Sequence, residues 1–152
     1  ASLGTMWHKK EIYNQIDMPY GYNKPKGMML VYPVISSDPE FGHLPSLYNL
    51  LDSQTPDKDL LEECSIEKNV DENSAPAYII HTVTDSVVNV RNSIALADAF
   101  AKKGLLFELH IYPDAPHGFG LANEITENGN KKNNNSCIAK WVENAVLWAN
   151  LL

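Results

Sequence analysis

The chain has 152 residues, 44% of them apolar and 20% charged, with a net charge of −7. That length suits one domain, and the balance suits a packed core rather than a disordered chain. Lys and Arg are scattered, which argues against the basic stripe a nucleic-acid partner needs, and no apolar run approaches the roughly 20 residues of a membrane span.

In chain order, Ala1 to Thr5 reads as the tail of a helix, and Trp7 to Pro25 as a polar, aperiodic loop with a helical turn or two. The opening residues carry no charged segment of the kind that begins a signal peptide. Gly27-Met28-Met29-Leu30-Val31-Tyr32-Pro33 is a short continuous apolar run closed by Gly and Pro. Such a run suits a strand buried on both faces, as in a parallel sheet. Ser36 to Gly42 is turn-rich, and Leu44 to Leu51 is a helix candidate. Thr55-Pro56-Asp57 has the form of a helix start, and that helix carries Leu60, Leu61 and Cys64. Residues 77–83 predict a second strand, 106–112 a third. Between them, Asn89 to Lys103 predicts a helix with Val90, Ile94, Ala97 and Ala101 inward and Gly104 as its stop. Asn123 to Ser136 reads as a surface loop. From Ser136, taken as N-cap, a last helix aligns Ile138, Trp141, Val142, Ala145, Trp148, Ala149 and Leu152 on one stripe.

Strands alternating with helices imply a parallel sheet with right-handed crossovers, an α/β layer architecture. In open parallel sheets, chemistry gathers at the carboxyl ends of the strands. Two such ends carry reactive side chains: Thr84-Asp85-Ser86 after the second strand and Pro116-His117-Gly118 after the third. Each residue alone also fits an ordinary turn, Asp85 ahead of a helix and His117 between Pro and Gly. Together they can form a carboxylate–imidazole pair. The carboxylate fixes one ring nitrogen as a donor and leaves the other free to take a proton from a nucleophile.

Residues Pro76 through Asp85 to Ser93, then Gly104, then Pro116-His117-Gly118-Phe119-Gly120-Leu121-Ala122, resemble the C-terminal half of the esterase/lipase branch of the α/β-hydrolases. Within that branch the chain is most similar to carbohydrate-type acetyl esterases, the acetylxylan esterase-like proteins. Leu30 to Ile35 resembles their sixth strand, and Leu47 to Leu51 a following segment. The resemblance implies a partial α/β-hydrolase fold: three layers, a short parallel sheet of family strands six to eight, and flanking helices. It implies Asp85 and His117 as catalytic residues of a Ser-Asp-His triad, acting on a short-chain ester such as acetyl on a sugar. A prolyl-oligopeptidase-type peptidase shares similar contexts. A non-catalytic α/β binding module is the reading from a different class.

The family's nucleophile elbow, G-x-S-x-G, does not occur in the sequence. Ala1 to Thr5 resembles the end of the helix that follows it, which places the chain's start about ten residues past the nucleophile. The whole chain, 1–152, is then expected to be the C-terminal portion of one hydrolase domain and inert toward esters alone. Without a fifth strand, the edge from Met28 to Pro33 is open, so a homodimer, or association with the other half of the domain, is expected there.

The remaining candidates read as structural. His81 and His110 lie within strands and are expected in the core or an interface. His8 and His43 fall in irregular segments, with His43 near enough to Phe41 to border a pocket. Trp7, Tyr20 and Tyr22 are expected to pack, with stacking at the mouth of a sugar site as the alternative, and Glu62-Glu63 to form a solvated face. Cys64 and Cys137, the only cysteines, are too far apart for a metal knuckle or a disulfide framework, and are expected reduced and mostly buried. No metal-ligand spacing, P-loop or G-x-G-x-x-G is present in the sequence. No cofactor is expected, the ligand being a small ester, and the expected location is cytoplasmic.

Overall fold

A computed structural model describes residues 1–15 and 17–152; residue 16, inside the expected loop 7–25, lies outside them. The ordered elements are α1 (Ser2–Met6), α2 (Lys10–Tyr13), β1 (Met28–Val31), α3 (Leu44–Leu50), α4 (Lys58–Glu63), β2 (Ala77–Thr82), α5 (Arg91–Lys103), β3 (Phe107–Tyr112), α6 (Ser136–Ala139) and α7 (Trp141–Ala149). Short 3₁₀ turns occupy Ile66–Asn69 and Lys131–Asn133. The sheet is parallel, in the order β1-β2-β3, with Leu30 opposite Ile79 and Ile79 opposite Leu109. Among the described residues, no helix is long and apolar enough to cross a membrane.

The central strand β2 is buried along its whole length. Successive side chains of a strand point to opposite faces, and β2 divides the core accordingly. Ala77 and Ile79 pack with Met28, Leu30, Ile35, Leu96, Ala97 and Phe100, under α5. Tyr78 and Ile80 pack with Ala115, Phe119, Ala122, Ile138, Ala145 and Trp148, under α6 and α7. This alternation sends His81 to the α5 side and Thr82 to the other. On the α1 side, Gly4 lies against Met28, where a Cβ would collide with the Met side chain. The small residue lets α1 press directly on the start of β1.

Three local expectations are corrected. The inward face of α5 is Asn92, Ser93, Leu96, Ala97 and Phe100. Ile94 is instead 44% exposed, and Ala101 is exposed. Two of those buried positions are polar and hydrogen-bonded, so apolar periodicity alone selected the wrong stripe. The cap of the last helix is Asn135, whose side-chain oxygen accepts from the Cys137 and Ile138 amides; Ser136 is already helical, and the helix breaks at Lys140 before α7. The inward stripe holds in spite of the break, with Ile138, Ala145 and Trp148 buried. Finally, Cys137 is exposed and Cys64 half-buried, because both lie on the outer turns of short helices.

Candidate active site

All three strands end at one rim, and each contributes a side chain there. After β1 the backbone turns sharply at Tyr32, which takes the left-handed φ of 41° just ahead of Pro33. A non-glycine residue held there stores strain, a feature that clusters at functional sites. After β2, Asp85 enters a turn in which its Oδ1 accepts the Val87 and Val88 amides, both at 2.9 Å. After β3, Gly118 (φ 80°) takes a conformation that L-residues avoid, and this turn presents His117. The two loops are tied together. Thr82 Oγ1 donates to the Ala115 carbonyl at 2.7 Å. Thr84 Oγ1 donates to Asp114 Oδ1 at 2.7 Å and accepts the Ala115 amide at 3.2 Å.

The pair expected from the sequence is in contact. His117 Nδ1 lies 2.8 Å from Asp85 Oδ2. The Asp85 side chain is fully buried, whereas that of His117 is 30% exposed. Because a carboxylate only accepts, Nδ1 carries the hydrogen; in the neutral ring Nε2 then keeps its lone pair, and it has no hydrogen-bond partner among the described residues. The Tyr32 ring packs on the imidazole with centroids 4.6 Å apart, and Phe119 meets the Tyr32 ring edge-on at 5.0 Å. These tilted and edge-on aromatic contacts crowd the imidazole on its Tyr32 side.

His81 completes the cluster. It is buried, as expected of a strand residue, yet it is not an inert part of the core. Its Nε2 is 3.2 Å from Asp85 Oδ2 and 3.0 Å from the Val88 carbonyl, and its Nδ1 is 2.7 Å from Ser93 Oγ. Burial pulls the His81 pKa below the ordinary histidine value, against the opposing pull of the Val88 carbonyl and Asp85. For Asp85, burial pushes upward, but the Val88 amide, His117 and the Val87 amide outweigh it and hold the carboxyl below its ordinary value. Asp85 is therefore ionised at neutral pH.

These directions set an acid response. The unfolded chain protonates His81 below about pH 6.5 while the native state resists, so stability falls with pH there by up to about 1.4 kcal/mol per unit. That loss stops once native His81 also takes up its proton. The Asp85 contribution has the depressed-carboxylate sign. It is present above the unfolded value of about pH 3.9 and is lost as pH falls through the lower native value. Urea midpoints measured from about pH 8 to 4 should show the first decline in the native chain and not in His81→Gln; an equal decline in both would assign it elsewhere.

The other candidates lie apart from this cluster. His43 Nδ1 is 2.8 Å from Ser46 Oγ at the start of α3. His8 pairs with Asp71 at 2.9 Å and His110 with Glu108 at 2.6 Å, and His110 stacks on Tyr112. Trp7 is packed, its indole donating to the Asn73 carbonyl. Tyr20, though 60% exposed, packs its ring beside those of Trp7 (6.1 Å) and Tyr13 (5.1 Å), whereas Tyr22 is 80% exposed, contrary to the packing expected of it. Glu62 pairs with Lys68 on the exposed surface. Tyr32 and His81 are the site residues that sequence reasoning missed, since an aromatic and a His inside apolar strands look like core.

A family model, the dienelactone hydrolase family, matches residues 60–146, more than half of the chain and the stretch that includes Asp85 and His117. The chain belongs to the dienelactone hydrolase family. Among curated proteins, this dienelactone hydrolase family member is 37% identical over 101 residues to endo-1,4-beta-xylanase B of Butyrivibrio fibrisolvens, matching 66% of the chain. It is 35% identical over 101 residues to an acetylxylan esterase of Xylanibacter ruminicola, matching 64% of the chain. Those matches span only 16% and 21% of the two relatives.

Solved structures agree on the fold. A carboxylesterase from Lactobacillus plantarum superposes with a TM-score of 0.80 at 23% identity, over 98% of this chain and 52% of that one. An acetyl ester-xyloside bifunctional hydrolase from Caldicellulosiruptor lactoaceticus gives 0.73 at 33% identity, over 90% of this chain and 47% of that one. The sheet and its flanking helices are thus a partial α/β-hydrolase fold, spanning about half the length of these structures.

Proposed function

We propose that these 152 residues are the C-terminal part of a serine carboxylesterase domain, and that Asp85 and His117 are two members of its Ser-Asp-His triad. The observation that carries the reading is the 2.8 Å contact between them. In that reading the serine stands on a segment preceding Ala1. His117 Nε2 takes the serine proton as Oγ attacks the ester carbonyl, and Asp85 stabilises the imidazolium that forms. The proton then passes to the departing alcohol, leaving an acyl-enzyme. Water, deprotonated by the same nitrogen, releases the acid. The names of the relatives favour a short acyl group, acetyl on a xylan-derived sugar. Acetate release from acetylated xylo-oligosaccharides and from an aryl acetate, by the protein extended through its upstream segment, is the expected result. No release from either ester would overturn the proposal.

The same reading assigns a partner to the open edge of β1. Met29 on β1 and Leu3 on the adjoining α1 are 48% and 57% exposed, and among the described residues only β2 pairs with β1. An unpaired strand edge is a template for another chain. In the extended protein the preceding strand covers it, and in the 152-residue chain a second copy does. Light scattering should show dimers or larger species of the short chain. A clean monomer at high concentration would contradict this.

A further inference from the structure

We propose that His81 is a positioning residue for the Asp85–His117 pair, its Nε2–H fixing the carboxylate oxygen that receives the Nδ1–H of His117. The chemistry of its neighbours assigns the tautomer. At Nε2 the two partners are a backbone carbonyl (Val88, 3.0 Å) and a carboxylate oxygen (Asp85 Oδ2, 3.2 Å). Both only accept, so Nε2 bears the hydrogen and shares it between them. At Nδ1 the partner is the Ser93 hydroxyl, 2.7 Å away, which can donate. His81 is thus satisfied as a neutral imidazole, and it is completely buried, where an added charge is costly. The titratable groups that face it are Asp85 and His117.

The consequence lies in the geometry of Asp85. Its Oδ1 is held by two backbone amides and its Oδ2 by two imidazoles. Four donors on two oxygens leave the carboxylate one orientation. The amides hold only Oδ1 and permit swinging about it. His81 removes that freedom from below, as His117 meets Oδ2 from the loop after β3. Ser93, on the first turn of α5, carries the constraint from helix to strand to carboxylate.

The role rests on the triad reading only for what the pair is used for, and its test does not use ester turnover. Nitrogen-15 shifts of the histidine rings in the 152-residue chain should show His81 as the Nε2–H tautomer, still largely neutral at about pH 6.5, where an ordinary histidine is half charged. His117 should carry its hydrogen on Nδ1 when neutral. In His81→Phe, solvent exchange of the His117 Nδ1–H should quicken by about tenfold or more, the factor carried by a hydrogen bond to a charged group. His81→Gln, which keeps an N–H donor at about the same reach, should restore slow exchange. A His81 mostly charged at about pH 6.5, or an Nδ1–H tautomer, would overturn the proposal even if the Phe variant failed to fold. So would unaltered His117 exchange in His81→Phe. A protein without esterase activity that nevertheless passes these tests would lose the proposed reaction and keep the positioning role.

Discussion

In the protein extended through the proposed nucleophile, His117→Ala is expected to lower kcat for an aryl acetate by about four to six orders of magnitude, with KM little changed. The size follows from the role. His117 is asked to accept a proton in one half-reaction and return it in the same cycle, and a triad acts as a unit. Asp85→Asn is expected to cost about four orders of magnitude by a different route. The amide that replaces Oδ2 would face two donors, His81 Nε2–H and His117 Nδ1–H. If the amide nitrogen takes that place, donors meet donors, and His117 turns to the tautomer whose Nε2 bears the hydrogen and cannot act as base. Steady-state kinetics, with circular dichroism to confirm folding, checks both variants. A loss below about tenfold for His117→Ala would remove it from the reaction.

The second large effect is structural. Asn92 is fully buried on α5. Its Oδ1 accepts the amides of Ile35 and Ser36, each at 3.0 Å, and its Nδ2 donates to the carbonyls of Phe41 (2.9 Å) and Asn89 (3.0 Å). One side chain therefore pins both ends of the loop between β1 and α3 to the helix. Asn92→Leu is close in volume but leaves two buried amide donors without acceptors, at about 1–3 kcal/mol each, or roughly 2–6 kcal/mol in all. Against a typical domain stability of about 5–15 kcal/mol, that is enough to threaten folding. Urea unfolding should show the midpoint fall without a change in slope. A loss under about 1 kcal/mol would mean that the loop amides find other partners.

Asn92 also shows where sequence reading stops. The central strand was legible because a parallel strand buried on both faces is a nearly continuous apolar run, as Ala77-Tyr78-Ile79-Ile80 is; β1, expected to be buried on both faces, leaves Met29 exposed, and β3 is only partly buried. The Asp85–His117 contact was legible because neighbouring parallel strands end at one rim, so residues just beyond them meet whatever their separation along the chain. The face of α5 was not legible. Its inward polar residues serve the loop after β1 (Asn92) and His81 (Ser93), and a search for apolar spacing passes over a buried Asn that is fully hydrogen-bonded. The cap at Asn135 was hidden in a run of three asparagines that reads as loop. Tyr32 is marked only by its backbone, a left-handed turn before a proline that side-chain patterns do not reveal.

The proposed role of Asp85 and His117 is to serve a serine that lies before Ala1. Labelling the extended protein with a fluorophosphonate and mapping the modified peptide tests that directly. A single label on a serine upstream of Ala1, abolished by His117→Ala, is the predicted result. A label on a serine within these 152 residues, or labelling indifferent to His117→Ala, would contradict it.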